Sequence, residues 1–121
     1  MAINSVMLVD DIPSHLQQIT EIVANAGYQT ITAISGKEAI DKAKQLKPDL
    51  IFLDVVMPDL DGFATCRMLR DDEVTKDIPV IFVSSKDKEA DKVWGQMQGG
   101  KAYITKPFSA EQIIEQINNL S

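Results

Sequence analysis

Short apolar runs alternate along the chain with stretches in which apolar residues recur at helical spacing. The runs cover residues 5–9, 29–33, 49–53, 79–83 and 102–105, and three of them are apolar at successive positions. A strand has this continuous pattern when both of its faces are buried. The runs therefore predict the strands of a parallel sheet that is covered on both sides.

Helix signals fill the segments between these runs. Pro13 suits the first turn of a helix, and Gly27 suits the residue just after its end. The Ser-x-x-Glu at Ser35 and the Ser-x-x-Gln at Ser109 have the form of capping boxes. The apolar residues that mark the five helix faces are Leu16, Ile19 and Val23; Ala39, Ile40, Ala43 and Leu46; Phe63, Cys66 and Leu69; Ala90, Val93, Trp94 and Met97; and Ile113, Ile114, Ile117 and Leu120.

Five strands that alternate with five helices predict right-handed βαβ crossovers, and so a doubly wound α/β fold with a five-stranded parallel sheet. The 121 residues contain no linker, repeat or low-complexity segment. This length is within the usual size of one domain. We therefore expect a single domain over residues 1–121.

Composition and charge narrow the range of functions. The formal net charge of −6 disfavours binding to nucleic acid or to an anionic membrane through electrostatics alone. No apolar run is long enough to cross a bilayer, and the first residues lack the basic segment of a signal peptide. A cytoplasmic protein is expected. Cys66 is the only cysteine, which excludes an internal disulfide, and we expect a packed thiol.

Polar residues that can take part in binding or catalysis lie at the ends of four of the five strands. Asp10 and Asp11 follow the first strand, Asp54 the third, Ser84 the fourth and Lys106 the fifth. Ligands of an open parallel sheet bind beyond the carboxyl ends of its strands. Taken singly, the aspartates could be helix caps, the serine a loop hydroxyl and the lysine a solvated side chain. Their convergence at one edge favours a site.

Three carboxylates at one edge repel one another unless a cation lies between them. A hard divalent cation fits, and Mg²⁺ fits best, because it takes one or two carboxylates and keeps water and phosphate oxygens as its other ligands. No cluster of cysteine and histidine offers a site to a softer metal. The only histidine, His15, is expected to be a solvated residue on the surface of the first helix.

This set of residues suits phosphoryl transfer. A carboxylate such as that of Asp54 can attack a phosphoryl group and form an acyl phosphate. Lys106 can neutralise charge on the transferring oxygens, and Ser84 can donate one hydrogen bond to them.

With these residues identified, the chain resembles the receiver domain of two-component response regulators, in its free-standing, CheY-like form. The likeness covers nearly the whole chain, and its four motifs occur in family order with family spacing. The motifs are Val9-Asp10-Asp11, Asp54-Val55-Val56-Met57-Pro58-Asp59-Leu60-Asp61-Gly62, Val80-Ile81-Phe82-Val83-Ser84-Ser85-Lys86 and Tyr103-Ile104-Thr105-Lys106-Pro107-Phe108.

The resemblance implies a strand order of 2-1-3-4-5 and phosphorylation of Asp54 by a histidine kinase or a small phosphodonor. It implies Mg²⁺ as the cofactor, held by Asp10, Asp11, Asp54 and the backbone carbonyl of Val56. Asp11 and Asp54 would be direct ligands, and Asp10 would act mostly through water.

The resemblance also implies a conformational switch. Ser84, where threonine is commoner in the family, would move toward the phosphoryl group, and Lys106 would pair with it. Tyr103 matches the aromatic switch position, and the Lys106–Pro107 bond is expected to be cis. Val56 cannot hydrogen-bond an attacking water, so no specially fast self-dephosphorylation is expected.

The implied protein is a phosphoacceptor rather than a turnover enzyme. It would bind a downstream protein through the face built from the fourth helix, fifth strand and fifth helix, as a monomer or weak dimer. A finer likeness, carried by residues 91–99 and 103–108, is to PilH-type regulators of type IV pilus twitching motility and phototaxis. Trp94 has two interpretations: core packing, or an outward edge of the fourth helix that meets partners.

Three alternatives remain open. The chain could be a receiver excised from a longer protein, such as a hybrid kinase or a DNA-binding regulator. Its start at Met1 argues against an N-terminal partner domain but not against a removed C-terminal one. A phosphohydrolase of the haloacid dehalogenase type needs a second aspartate two residues after the nucleophile, where this chain has Val56. A flavodoxin-like mononucleotide binder shares the fold class, but the acidic edge would repel a phosphate in the absence of a metal.

Overall fold

A computed structural model describes residues 2–121 as five strands that alternate with five helices. The strands are β1 (Ser5–Val9), β2 (Gln29–Ala33), β3 (Leu50–Leu53), β4 (Val80–Ser84) and β5 (Ala102–Thr105). The helices are α1 (Pro13–Asn25), α2 (Gly36–Leu46), α3 (Gly62–Arg70), α4 (Glu89–Met97) and α5 (Ala110–Leu120). All strand pairs are parallel, in the order β2-β1-β3-β4-β5. The predicted doubly wound fold is confirmed.

The core consists of two layers, one on each side of the sheet. Successive residues of β3 belong to opposite layers: Leu53 packs in the layer that contains α2 and α3, and Phe52 in the layer that contains α1 and α5. Both side chains are almost fully buried. This two-sided burial explains why the central strands are apolar at nearly every position, with Ser5 and Ser84 at strand ends as the exceptions.

Side-chain caps start two of the helices as the sequence predicts. Ser109 and Gln112 form the complete capping box of α5. At α2, the Ser35 side chain accepts a hydrogen bond from the backbone N–H of Glu38, but the Glu38 carboxylate accepts one from Ile34 rather than from Ser35. Both helices therefore begin where the motifs place them.

Helix α4 differs from the others because its apolar side chains face away from the core. Val93, Trp94 and Met97 are 47%, 45% and 68% exposed. The buried residue of α4 is Gly95, and a Cβ atom there would lie 3.0 Å from Cδ2 of Phe82. Trp94 therefore does not pack in the core and lies on the outward side of α4, while its contact with partners stays a prediction.

The Lys106–Pro107 peptide bond is cis, as expected. Within residues 2–121, no helix is both long and apolar enough to cross a membrane.

Candidate functional site

Parallel pairing of the central strands brings the predicted acidic residues side by side. Val9 at the end of β1 is in register with Leu53 at the end of β3. The next residues, Asp10 and Asp54, follow directly, and the Asp54 N–H donates a hydrogen bond to the carbonyl of Val9. Both carboxylates therefore lie at the same edge of the sheet, and both side chains are buried.

Asp11 completes a group of three carboxylates. One oxygen each from Asp10, Asp11 and Asp54 lie within 4.8 Å of one another. Oδ1 of Asp11 is buried and has no hydrogen-bond partner among residues 2–121. An unpaired buried carboxylate oxygen beside two further carboxylates fits the ligand set of a hard divalent cation, since such cations prefer oxygen ligands.

Asp54 is held in an environment that opposes its own negative charge. Burial raises the pKa of Asp54, the neighbouring charge of Asp10 raises it further, and Lys106 opposes both effects. Oδ1 of Asp54 accepts a hydrogen bond of 2.8 Å from the backbone N–H of Val55. The carboxylate is therefore fixed in orientation and only partly compensated in charge.

Lys106 extends from the end of β5 into the acidic group. Its Nζ lies 2.7 Å from Oδ2 of Asp10 and 3.4 Å from Oδ2 of Asp54. The side chain of Lys106 is only 11% exposed. An ammonium this close to two buried carboxylates can also neutralise a charged oxygen that joins either of them.

Ser84 and Tyr103 meet at the backbone of one residue in the loop after β4. The hydroxyl of Ser84, which is buried, accepts a hydrogen bond of 3.3 Å from the N–H of Lys86. The hydroxyl of Tyr103 donates one of 2.6 Å to the carbonyl of the same Lys86. Burial raises the pKa of Tyr103, which keeps the phenol protonated as a donor. Both predicted switch residues are therefore joined through Lys86.

Val56 lies two residues beyond Asp54 and has a half-exposed side chain with no polar atom. Together with Lys86 and Trp94 it lines a cleft on the α3–α4 side of the acidic group. The cleft is also lined by Val55, the residue that follows Asp54.

His15 belongs to the site, although the sequence indicated only a solvated residue on a helix surface. Its Nδ1 lies 3.0 Å from Nζ of Lys106 and 3.9 Å from Oδ2 of Asp10. The side chain is 41% exposed on the surface of α1, as expected, and its contact with Lys106 is what the sequence did not indicate. His15 is the third residue of α1, which begins just after Asp10 and Asp11, but this spacing alone does not predict the contact with Lys106.

The assembled groups suit nucleophilic chemistry on a phosphoryl group. Asp54 offers a fixed carboxylate oxygen, and Lys106 offers a positive charge beside it. The acidic trio can hold a divalent cation that neutralises phosphoryl oxygens. Asp10, Asp11, Asp54 and Lys106 are brought together, while Ser84 and Tyr103 meet at the adjoining loop.

Known proteins resemble this chain in sequence and structure. Residues 6–118 match the family described as the response regulator receiver domain. The chain is 42% identical over 113 residues to Protein PilH of Pseudomonas aeruginosa, covering 93% of each. It is 38% identical over 109 residues to Protein PilG of the same organism, covering 90% of this chain and 81% of PilG.

A solved structure of the Vibrio cholerae chemotaxis protein CheY4 superimposes with a TM-score of 0.92 at 29% identity, covering 99% of this chain and 100% of that one. The resemblances predicted from the motifs, including the finer one to PilH-type regulators, are therefore confirmed.

Proposed function

Because the chain belongs to the response regulator receiver domain family of two-component signal transduction, we propose that its residues 1–121 act as one receiver domain that is phosphorylated on Asp54. The observation that carries the proposal is the Asp54 carboxylate, buried in an acidic trio with the Lys106 ammonium 3.4 Å away. In this proposal the protein accepts a phosphoryl group and is not a turnover enzyme.

In the proposed reaction an Oδ atom of Asp54 attacks the phosphorus of a phosphohistidine or of a small acyl phosphate. The new bond joins that oxygen to phosphorus, and the bond from phosphorus to the donor breaks, its electron pair leaving with the donor. Lys106 pairs with a phosphoryl oxygen and limits the negative charge that collects beside Asp10. The raised pKa of Asp54 reflects its burial and the charge of Asp10, which Lys106 only partly offsets, so the site has room for a further positive charge.

Mg²⁺ is the cofactor that best fits the trio. Asp11 and Asp54 would hold it directly, Asp10 would assist, and the backbone carbonyl of Val56 would complete the protein ligands. When bound, the cation supplies positive charge to the phosphoryl oxygens. The support from this chain is the unpaired, buried Oδ1 of Asp11 within a group of three carboxylates.

The signal would leave the site through the loop after β4. A phosphoryl group on Asp54 offers acceptor oxygens that can draw the Ser84 hydroxyl away from the Lys86 N–H. Since Tyr103 binds the carbonyl of the same Lys86, a shift of this residue also changes the position of the phenol. Phosphorylation would thereby shift an equilibrium between two arrangements of the loop and α4.

The phosphodonor would be a histidine kinase, and the downstream partner a protein that binds the face formed by α4, β5 and α5. A cleft in this face is lined by side chains of all three elements, including Lys92, Tyr103 and Gln112. Exposed Val93 and Met97 add apolar area on the outer side of α4. The likeness to PilH and PilG supports a chemotaxis-like or pilus motility pathway.

Intact-mass analysis after incubation with acetyl phosphate and Mg²⁺ tests the proposal. The wild-type protein should gain the mass of one phosphoryl group, and Asp54→Ala should gain none. Asp41→Ala, which removes an exposed carboxylate on α2, is the matched control and should be labelled like the wild type. Equal labelling of Asp54→Ala and wild type would overturn the assignment of the acceptor.

A further inference from the structure

The ammonium of Lys106 has three hydrogen-bond donors, and three acceptors surround it. Two are carboxylate oxygens, of Asp10 at 2.7 Å and Asp54 at 3.4 Å. The third is Nδ1 of His15, at 3.0 Å. An ammonium group donates only, so Nδ1 must accept, and the imidazole that contacts Lys106 carries its proton on Nε2.

His15 differs from the other two partners because it lies outside the acidic trio. The oxygens of Asp10 and Asp54 are the atoms whose surroundings change when a cation or a phosphoryl group joins the trio. The uncharged Nδ1 of His15 is not part of that group, and its hydrogen bond can persist while the two charged contacts are rearranged. It therefore offers a constant anchor for the ammonium.

The space beside Lys106 leaves the ammonium room to move. A cavity of about 340 Å³, lined by His15, Gln18, Pro107 and Phe108 among others, adjoins the lysine side chain. Lysine is a flexible point charge that can take several positions. Without an acceptor at residue 15, the ammonium could move into this cavity or closer to Asp54.

We propose that His15 is a positioning residue for the phosphoryl transfer. Its Nδ1 holds the Lys106 ammonium beside the carboxylates of Asp10 and Asp54, within reach of the incoming phosphoryl oxygens. The inference rests on the proposed phosphorylation of Asp54. It gives His15 no contact with the reacting atoms. Its effect runs through the placement of Lys106.

Removal of the acceptor should slow the reaction without weakening the cation site. With Mg²⁺ at saturation, His15→Ala and His15→Leu should each lower the rate constant for labelling by acetyl phosphate about tenfold, since a misplaced charge loses much of its effect on the transition state. His15→Asn should restore most of the rate, because its Oδ1 can accept at the position of Nδ1. The Mg²⁺ concentration for half-maximal rate should change by less than about twofold, because His15 is not a ligand.

The experiment measures labelling rates by intact mass across acetyl phosphate and Mg²⁺ concentrations, with thermal unfolding of every variant. Gln18→Ala, which alters the same cavity next to α1, is the matched control and should react like the wild type. In a Lys106→Ala background, a further His15→Ala change should alter the residual rate by less than about twofold, since the two residues act as one unit.

The outcomes separate the two proposals. Labelling of wild type that Asp54→Ala retains would overturn the phosphorylation of Asp54 itself. Labelling that depends on Asp54 but proceeds at the wild-type rate in His15→Ala and His15→Leu would overturn only the role of His15. Failure of a stably folded His15→Asn to react faster than His15→Leu, or an undiminished effect in the Lys106→Ala background, would overturn it as well.

Discussion

At the scale of single residues, Asp54 carries a negative charge that its surroundings disfavour. Asp54 is buried beside Asp10, and the ion pair with Lys106 does not fully offset these two effects, because the pKa of Asp54 remains raised. A raised pKa in the folded protein means that the ionised carboxylate is less favourable there than in the unfolded chain. Asp54 therefore destabilises the metal-free fold at neutral pH.

Replacement of this charge should stabilise the metal-free protein. We expect Asp54→Asn to raise the free energy of unfolding at pH 7 by about 1 kcal/mol. The difference from wild type should shrink as the pH falls through the raised pKa of Asp54, because the wild-type carboxyl then becomes neutral too. Urea unfolding in the presence of a chelator measures it. Asp41→Asn is the control on an exposed helix surface, and a less stable Asp54→Asn would mean that the ion pair with Lys106 dominates.

The hydroxyl of Tyr103 is a second residue with a separable contribution. Tyr103→Phe removes the hydrogen bond to the carbonyl of Lys86 and should lower stability by about 0.5–1.5 kcal/mol. Amide hydrogen exchange in residues 85–88 should become faster, because one of the two bonds that hold Lys86 is lost. Tyr28→Phe, in the turn before β2, is the matched control. Unchanged exchange in that loop would show that the phenol does not restrain it.

At the scale of elements, local signals located most helices and strands but not the orientation of α4. Capping boxes and apolar runs depend on neighbouring residues only, so α5 and the central strands appear where the sequence places them. The apolar positions of α4 have the same period whether they face the core or the solvent. The residue that does face the core is Gly95, which has no side chain to give an apolar signal. The rings of Phe82 and Tyr103 lie within 3.0–3.3 Å of the position that its Cβ would take.

The packing of α4 against the sheet depends on Gly95, because Phe82 and Tyr103 approach its backbone closely. Gly95→Val should destabilise the protein by about 1–3 kcal/mol, because its Cβ would lie 3.0 Å from Cδ2 of Phe82, closer than an ordinary van der Waals contact. Gln96→Val is the matched control, since it places the same side chain one position away on the exposed surface. The fluorescence of Trp94, on the same helix, should shift in the first variant only. Equal stability of the two variants would contradict this seating.

At the scale of the whole molecule, the topology determined which parts of the site could be predicted. The carboxyl ends of parallel strands share one edge whatever the details of packing, so Asp10, Asp54 and Lys106 could be grouped from strand ends alone. The contact of His15 depends on how α1 crosses that edge and on one side-chain rotamer. Neither of these follows from residue spacing, which is why the sequence indicated only a solvated histidine on the surface of the first helix.

The fold as a whole carries a net charge of −6 and collects three carboxylates at one end, so divalent cations should stabilise it in two distinguishable ways. Screening of the overall charge depends on ionic strength, whereas occupation of the trio depends on the cation itself. At a Mg²⁺ concentration about 100 times the dissociation constant, site binding should add about 2.7 kcal/mol to the free energy of unfolding. The measurement compares thermal or urea unfolding in MgCl₂ with unfolding in NaCl of equal ionic strength.

Asp11→Asn should lose the Mg²⁺-specific part of the stabilisation, because Oδ1 of Asp11 is the unpaired oxygen of the trio. Asp41→Asn, with the same change in net charge, should keep that part. Equal stabilisation of both variants by MgCl₂ and NaCl would mean that the effect is charge screening alone and that the trio does not bind the cation.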